Sequence, residues 1–309
     1  MRIAVLRGGP SSDYETSLIT GAHAVKHLKQ VHTVEDIFVD KEGTWHRRGV
    51  PIEPHRLAPH IDVFVNALHG EYGEDGRVQQ ILEPLQVQYT GPRFMSAVNS
   101  WRKDIARELL IRAGLRVPEG RSVSTLSEPY EVADIIHREL GGQYVVKPIG
   151  GSASEGVEIV RAYPDLGEAL IRALMKYKRV LVEELLRGIE IKCVVVNNFR
   201  NQDFYAFLPI EIDRSQLEIY SPTSEHYLFS PARLSASEKK LAMQTAIHAH
   251  KALHMHDYSS VDMMFTKRGP YVLEVDALPP MGNETIFNKS LESVGATCPE
   301  FLKHIVSIT

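Results

Sequence analysis

The most constraining stretch of this 309-residue chain is Tyr258 to Met281, YSSVDMMFTKRGPYVLEVDALPPM. Val261 to Phe265 and Tyr271 to Val275 are apolar and rich in β-formers, and Lys267-Arg268-Gly269 offers a three-residue turn with glycine at the left-handed position. The stretch predicts a β-hairpin in which Asp262 faces Glu274. Glu274 and Asp276 are two residues apart, so they share a strand face. Three carboxylates then converge on an otherwise apolar hairpin, where they repel and are costly to desolvate. A hard divalent cation, Mg²⁺ (or Mn²⁺), held by carboxylates and phosphates together, relieves both problems. The alternative is an exposed acidic strand face, and the apolar neighbours argue against it.

The rest of the chain sets limits on that site. Its length suggests two or three domains with a substantial core. A net charge of −4 gives no general bias towards nucleic acid or anionic membrane. No apolar run reaches membrane-spanning length, and the N-terminus reads as a strand rather than a signal peptide. The two cysteines, Cys193 and Cys298, lie far apart; they suggest neither a disulfide framework nor a zinc site and suit a reducing cytoplasm.

In chain order, Met1 to Leu6 reads as a buried strand, Arg7-Gly8-Gly9-Pro10-Ser11-Ser12 as a turn, and Tyr14 to Leu28 as a helix. That arrangement turns backbone N–H groups towards a sheet edge, although it lacks a dinucleotide fingerprint. Glu15 and Ser17 lie in the first helical turn, where a glutamate's ordinary role is to complement the helix dipole. Thr33 to Val39 and Ile61 to Leu68 read as strands, with a polar, turn-rich segment from Lys41 to Pro59 between them. His69-Gly70-Glu71-Tyr72-Gly73-Glu74-Asp75-Gly76 follows, then a helix to about Leu85 and a strand from Val87 to Gly91. Polar groups thus gather again at the carboxyl edge of a sheet.

Ser100 to Ala113 reads as one helix containing Lys103, and Tyr130 to Leu140 as another. Two apolar strands around Tyr144 to Val160 flank a loop rich in glycine and serine, Gly150 to Gly156, preceded by Lys147. Such a loop folds over phosphates and the lysine brings a point charge to them; a plain hairpin with a surface lysine is the alternative. Asp165 to Lys176 is a helix, and strands flank Arg187-Gly188, with Glu183 and Glu190 at the ends of apolar runs, suited to accept from ribose hydroxyls. Phe204 to Ile212 reads as a strand, Arg214 to Ser230 as a candidate lid, and Ser235 to Leu253 as a helix. His250 and His254 are spaced to bind a metal, but a solvated helix face is the preferred reading. Helices at about Glu284 to Val294 and Pro299 to Val306 close the chain. The pattern predicts three α/β or α+β lobes around one cleft.

In this order the motifs resemble those of the D-alanine–D-alanine ligases of the ATP-grasp superfamily, along essentially the whole chain. The residues that carry the resemblance are Arg7-Gly8-Gly9 with Glu15 and Ser17, HGxxGEDG from His69 to Gly76, Tyr89-Thr90-Gly91, Lys103, Val146-Lys147-Pro148, Glu183 to Glu190, and Asp262 to Phe265 with Leu273 to Asp276. The resemblance implies a three-lobed ATP-grasp fold, with an N-terminal α/β domain over 1–98, a central glycine-loop domain over 99–182 and a C-terminal antiparallel-sheet domain over 183–309 carrying the metal site. It implies ATP and Mg²⁺ as cofactors, an acyl phosphate, and a dipeptide product for peptidoglycan precursors. By position, Lys103, Lys147, Ser152, Ser154, Glu183, Leu186, Glu190 and Leu273 match ATP contacts. Asp262, Glu274 and Asp276 match the metal ligands, with Asp276 where the family usually has Asn. Glu15, Ser17, His69 and Thr285 match substrate contacts, and Glu15, His69, Ser154 and Tyr220 the catalytic set. The resemblance favours D-alanine as substrate and leaves a homodimer open.

The departures cluster on the acceptor side. The family's Arg two residues before the first metal Asp is Ser260 here; its oxyanion-hole Gly is Pro280, which has no N–H; the first loop serine is Ala153; and the lid's Lys-Tyr pair reduces to Tyr220-Ser221. Losing one oxyanion donor typically costs about 10²–10³ in rate. Lys267 and Arg268 are possible replacements for the Arg, but they sit in the turn and are expected to be too far away. Two alternatives therefore stand beside D-alanine–D-alanine ligation: a different amino-acid acceptor, or a relative that binds nucleotide without turnover.

Overall fold

The computed structural model describes residues 1–124, 128–151, 155–213, 228–282 and 285–309. Ser152, Ser154 and Tyr220, and nearly all of the candidate lid, lie outside the described residues.

Three sheets organise the chain. The first runs in the order Val50–Pro51, Trp45–Arg47, Thr33–Val39, Arg2–Gly8, Val63–Asn66, Gln88–Tyr89. Its last four strands are parallel; Ile3–Leu6 and Val63–Val65 at its centre are continuous buried apolar runs, because both faces are covered there, whereas Thr33–Val39 carries Glu35 and Asp36. The two short antiparallel strands at its edge come from the polar segment read as turn-rich; Trp45 anchors them, buried with its indole N–H 2.8 Å from the Tyr72 hydroxyl. The helix Tyr14–Leu28 follows the first strand as expected.

The second sheet is antiparallel, in the order Gly120–Val123, Val180–Glu184, Tyr144–Pro148, Glu158–Val160. Helices Pro129–Leu140 and Leu166–Lys176 cover it with a core of its own. The third runs Leu228–Phe229, Ile210–Ile212, Ile189–Asn197, Tyr258–Thr266, Gly269–Asp276, with Phe204–Ala206 also paired to Ile189–Asn197. The expected single strand from Phe204 to Ile212 is therefore two, each pairing a different part of Ile189–Asn197.

The third sheet is the hub. One face packs Val194, Val196 and Tyr258 against Ile3, Val5 and Val63 of the first sheet and Phe287 and Phe301 of the C-terminal helices. Another core joins Cys193, Val261 and Val275 to helix Ala236–Ala252 and to Ala106 and Leu110. Ser235 begins that helix, as its sequence predicts, and closes a capping box with Glu238.

The helix expected over Ser100 to Ala113 breaks at Arg102 into Phe94–Trp101 and Lys103–Arg112. No proline or glycine marks the break. A tertiary hydrogen bond does: the Lys103 N–H donates to Ile149 O at 3.0 Å, tying the new helix start to the strand before the glycine loop.

Candidate functional site

The sheets and helix termini meet at a cleft of about 480 Å³, a size that suits small ligands. Its floor is the third sheet. Alternation places Glu190, Lys192 and Val194 on one strand, Ser260, Asp262 and Met264 on the next, and Glu274 and Asp276 on the third, all lining the cleft. The hairpin register pairs Asp262 with Glu274, as its sequence predicts, with an irregularity just after Asp262.

The floor's electrostatics differ from the sequence expectation in one respect. Two of the three carboxylates have a lysine partner, while Asp276 is left facing other carboxyl groups. Glu274 Oε1 lies 2.8 Å from Lys103 Nζ, and Asp262 Oδ2 lies 2.7 Å from Lys192 Nζ. Burial pushes the Glu274 carboxyl up, but Lys103 and Lys147 outweigh it and hold it below its usual range. Burial raises Asp262 despite Lys192. Burial, with Glu74 nearby, pushes Asp276 up to about 8. Among the described residues, no three carboxylate, imidazole or thiol groups form a ready cage for a metal ion. The sequence argument missed these pairings because Lys103 and Lys192 lie about 70 or more residues from their partners in the hairpin.

The donor set still fits Mg²⁺. Asp262 Oδ1 is buried with no hydrogen-bond partner, and hard oxygen donors completed by phosphates are what that ion prefers. Phosphate oxygens offer Lys103 an alternative partner, which would free Glu274.

At the glycine-loop end, Lys147 is buried on strand Tyr144–Pro148, with Nζ 2.6 Å from Glu183 Oε2 on the neighbouring strand. Lys103 also donates to the Gly151 carbonyl at 2.8 Å. Leu186, Glu190 and Leu273 line the same cleft. The structure thus brings together the described candidate nucleotide contacts Lys103, Lys147, Glu183, Leu186, Glu190 and Leu273.

At the other end stands the HGxxGEDG segment. Two of its glycines have steric reasons. A Cβ on Gly73 would lie 2.0 Å from the Leu68 carbonyl, and Gly76 has φ +99° at the start of helix Arg77–Leu82. The segment folds back so that the Gly70 N–H donates to Glu74 Oε1 at 2.8 Å. Glu74 Oε1 is 3.5 Å from His69 Nδ1, and His69 Nε2 is 2.9 Å from Thr20 Oγ1, which also accepts the Met281 N–H at 3.2 Å. Burial pushes Glu74 up to about 8 and lowers His69, so near neutrality this chain is largely uncharged. Glu74 and Thr20 are cleft residues that the sequence reading did not single out, although Glu74 stood within a quoted motif.

Other candidates sit differently. Glu15 is exposed and does not line the cleft, where its neighbours Asp13 and Thr16 do. Ser17 is fully buried; its hydroxyl accepts the Gly8 N–H at 2.8 Å and donates to Ala67 O at 2.7 Å, so it clamps two strand ends rather than facing a ligand. Thr285 lines the cleft and caps helix Ile286–Glu292 by accepting the Asn288 N–H. His250 belongs to neither reading of its sequence. It is buried between Ser259 Oγ and Asn197 Oδ1, each at 2.8 Å, while His254 ends its helix with φ +53°. Lys267 and Arg268 occupy the hairpin turn seven and eight residues from Ser260, about 23 Å or more along the strand, too far to serve the cleft. Cys193 and Cys298 are free and buried, and burial pushes both thiols up to about 12.

Comparison with known proteins agrees along the length of the chain. The D-ala D-ala ligase N-terminus model matches residues 47–92 and the D-ala D-ala ligase C-terminus model matches residues 112–307. A D-alanine--D-alanine ligase of Clostridium botulinum is 29% identical over 312 residues, spanning 99% of this chain and 97% of the relative, and one of Clostridium beijerinckii is equally similar. The D-alanine--D-alanine ligase of Bacillus anthracis, solved in complex with ATP, shares 27% identity and a TM-score of 0.79, covering 99% of this chain and 96% of that one. VanG D-Ala:D-Ser ligase from Enterococcus faecalis shares the fold at TM-score 0.87 and 24% identity, covering 99% of this chain and 98% of that one. With its C-terminal match alone spanning more than half its length, this chain belongs to the D-ala D-ala ligase family.

Proposed function

We propose that this protein joins two D-alanines into D-alanyl-D-alanine, a precursor for peptidoglycan, at the expense of ATP and with Mg²⁺. Ligases of this family use both cofactors. The observation that carries the reading is the cleft floor, where Lys103, Lys147 and Glu274 meet beside the glycine loop.

When bound, Mg-ATP supplies a phosphoryl group activated by charge neutralisation. Lys103 and Lys147 would hold its phosphates, exchanging Glu274 and Glu183 for phosphate oxygens. Asp262, Glu274 and Asp276 would hold the cation, and Glu190 and Leu186 the nucleoside. The first amino acid's carboxylate oxygen takes the terminal phosphoryl group as ADP leaves. The second amino acid's amine then attacks the acyl carbon, the carbon–oxygen bond to phosphate breaks, and the nitrogen loses a proton. His69, held neutral by burial and fixed by Thr20, would border the reacting carboxyl group. Ser154 and Tyr220 keep the catalytic roles that their positions imply, and Thr285 the acceptor's carboxylate.

A second reading keeps the chemistry and changes the acceptor. Ser260 and Pro280 both line the cleft at that end, and one fold relative is a D-Ala:D-Ser ligase. Phosphate release from Mg-ATP, with product identified by mass, decides between them. D-alanine alone giving D-alanyl-D-alanine supports the first reading. Product only with another amino acid moves the specificity. No release with any D-amino acid overturns both. We place the reaction in the cytoplasm, where two free thiols remain reduced; among the described residues no helix is long and apolar enough to cross a membrane. Sedimentation tests for a homodimer.

A further inference from the structure

Lys192 sits on Ile189–Asn197, in register with Asp262 on the adjacent strand, and Val194 is in register with Ser260. All four face the cleft. The lysine side chain is only 16% exposed, and its ammonium is held by Asp262. Two other lysines serve the glycine-loop end: Lys103 bonds Gly151, and Lys147, which lines the cleft, stands on the second sheet. Among the described residues that line the cleft, Lys192 is the one basic side chain supplied by the third sheet.

The location matters because of what surrounds it. Pro280 lines the acyl-transfer end and offers no N–H. Ser260 offers a buried hydroxyl with no hydrogen-bond partner. Negative charge developing on an acyl oxygen there needs a donor, and such charge stabilisation is usually the largest catalytic term. Lys192 and Ser260 are diagonal neighbours across the strand pair, about 7–8 Å apart at the backbone, within the span of a lysine stem. As a purely structural element the Lys192–Asp262 pair would achieve little, since buried ion pairs are often replaceable by apolar residues at no cost.

We propose that Lys192 is a catalytic residue of the acyl-transfer step: its ammonium exchanges Asp262 for the reacting acyl oxygen when the nucleotide's cation takes over Asp262. This rests on the ligase reading above. As the amine nitrogen bonds to the acyl carbon, the carbonyl electron pair moves onto oxygen beside the ammonium. When that pair returns, the bond to phosphate breaks and phosphate leaves. Lys192 keeps its proton throughout and contributes charge and hydrogen bonds only.

The test uses full-length wild type, Lys192→Met and Lys192→Arg. Steady-state phosphate release gives kcat and KM, and Mn²⁺ titration in the presence of ATP, followed by electron paramagnetic resonance, reports the cation site independently of turnover. The expected result for Lys192→Met is a fall in kcat of about 10²–10³-fold, with the KM for ATP little changed. Mn²⁺ should bind as tightly or more tightly, because Asp262 is released from its competitor. Lys192→Arg should recover at least tenfold of the lost rate. Two results overturn the proposal: kcat of Lys192→Met within threefold of wild type, or a loss of rate that tracks a loss of Mn²⁺ binding, which would make the lysine only an organiser of Asp262. If the Met variant does not fold, Lys192→Gln takes its place under the same criteria. Wild type that releases no phosphate with any amino acid overturns the ligase reading and this proposal with it; active wild type with an unimpaired variant overturns the proposal alone.

Discussion

The two ends of the cleft handle buried polarity in opposite ways. The glycine-loop end is built from full charges in pairs, Lys147 with Glu183 and Lys103 with Glu274. The His69 end is built from two groups that burial holds near neutral, Glu74 and His69, with the Thr20 hydroxyl 2.9 Å from His69 Nε2. The first arrangement suits a visitor that brings its own charge, because phosphates and a cation can take over the ion-pair partners. The second suits a small zwitterion whose reacting group must be desolvated and aligned, where a permanent charge would compete for it. The difference teaches which end tolerates substitution: a charged pair fails when halved, whereas a neutral chain loses one hydrogen bond at a time.

Lys147→Met probes the charged end most severely. It leaves Glu183, which is 5% exposed, without its ammonium. The expected loss is about 3–5 kcal/mol in urea unfolding of the free protein, as for other halved buried pairs. A loss under about 1 kcal/mol would mean that Arg107, 3.9 Å from Glu183, already neutralises it, and the contrast between the two ends would weaken.

Glu274→Gln keeps the shape of the side chain and removes its charge. Lys103 retains the Gly151 carbonyl, so the fold should persist while the cation loses a ligand. The expected effect is a drop in kcat/KM for phosphate release of about 10²–10³-fold, or about 2.7–4 kcal/mol on the barrier. Unchanged kcat/KM would remove Glu274 from the metal set.

At the neutral end the effects should be smaller. Thr20→Val deletes the hydroxyl that joins His69 to the Met281 N–H with little change of shape. The Met281 N–H then lacks a partner, and stability should fall by about 1–3 kcal/mol, with a modest change in the KM for D-alanine. A loss as large as that of Lys147→Met would show that the neutral chain behaves as one network instead.

The two ends also differ in how far the sequence revealed them. The glycine loop, Lys147, Glu183 and the hairpin carboxylates follow from local patterns: alternation fixes the face and the turn fixes the register, and Asp262 does pair with Glu274. What stayed hidden is long-range. The partners of those carboxylates, Lys103 and Lys192, belong to other elements, and no spacing rule connects residue 103 to residue 274. The break at Arg102 comes from a hydrogen bond to Ile149 rather than from any helix-breaking residue. The edge strands Trp45–Arg47 and Val50–Pro51 were hidden because one buried hydrophobic residue, Trp45, anchors them within a polar run. Ser17 and Glu15 share one helical turn and one motif, yet the first is buried and the second exposed, a distinction that depends on where the Arg2–Gly8 strand ends.

His250 tests the sheet's other face, remote from both ends of the cleft. Ser259 and Ser260 are adjacent in the strand and so face opposite ways: Ser260 lines the cleft, while Ser259 bonds His250 in the core. Burial, with His256 and Lys251 nearby, lowers the His250 imidazole to about 3. A base depressed in the folded state is stabilising above its unfolded value, near 6.5, and that contribution is lost progressively as pH falls towards about 3, because only the unfolded chain takes up the proton. Glu74 and Asp276, raised to about 8, have the opposite sign: the folded chain holds their protons, so they stabilise as pH falls below 8. The wild-type profile is therefore a mixture, and the informative quantity is the difference between wild type and His250→Gln. In urea unfolding below pH 6.5 that difference should shrink by about 1.4 kcal/mol per pH unit. A difference that stays constant from pH 7 to pH 5 would mean that His250 titrates equally in both states and that the back face of the sheet admits charge as readily as the cleft face does.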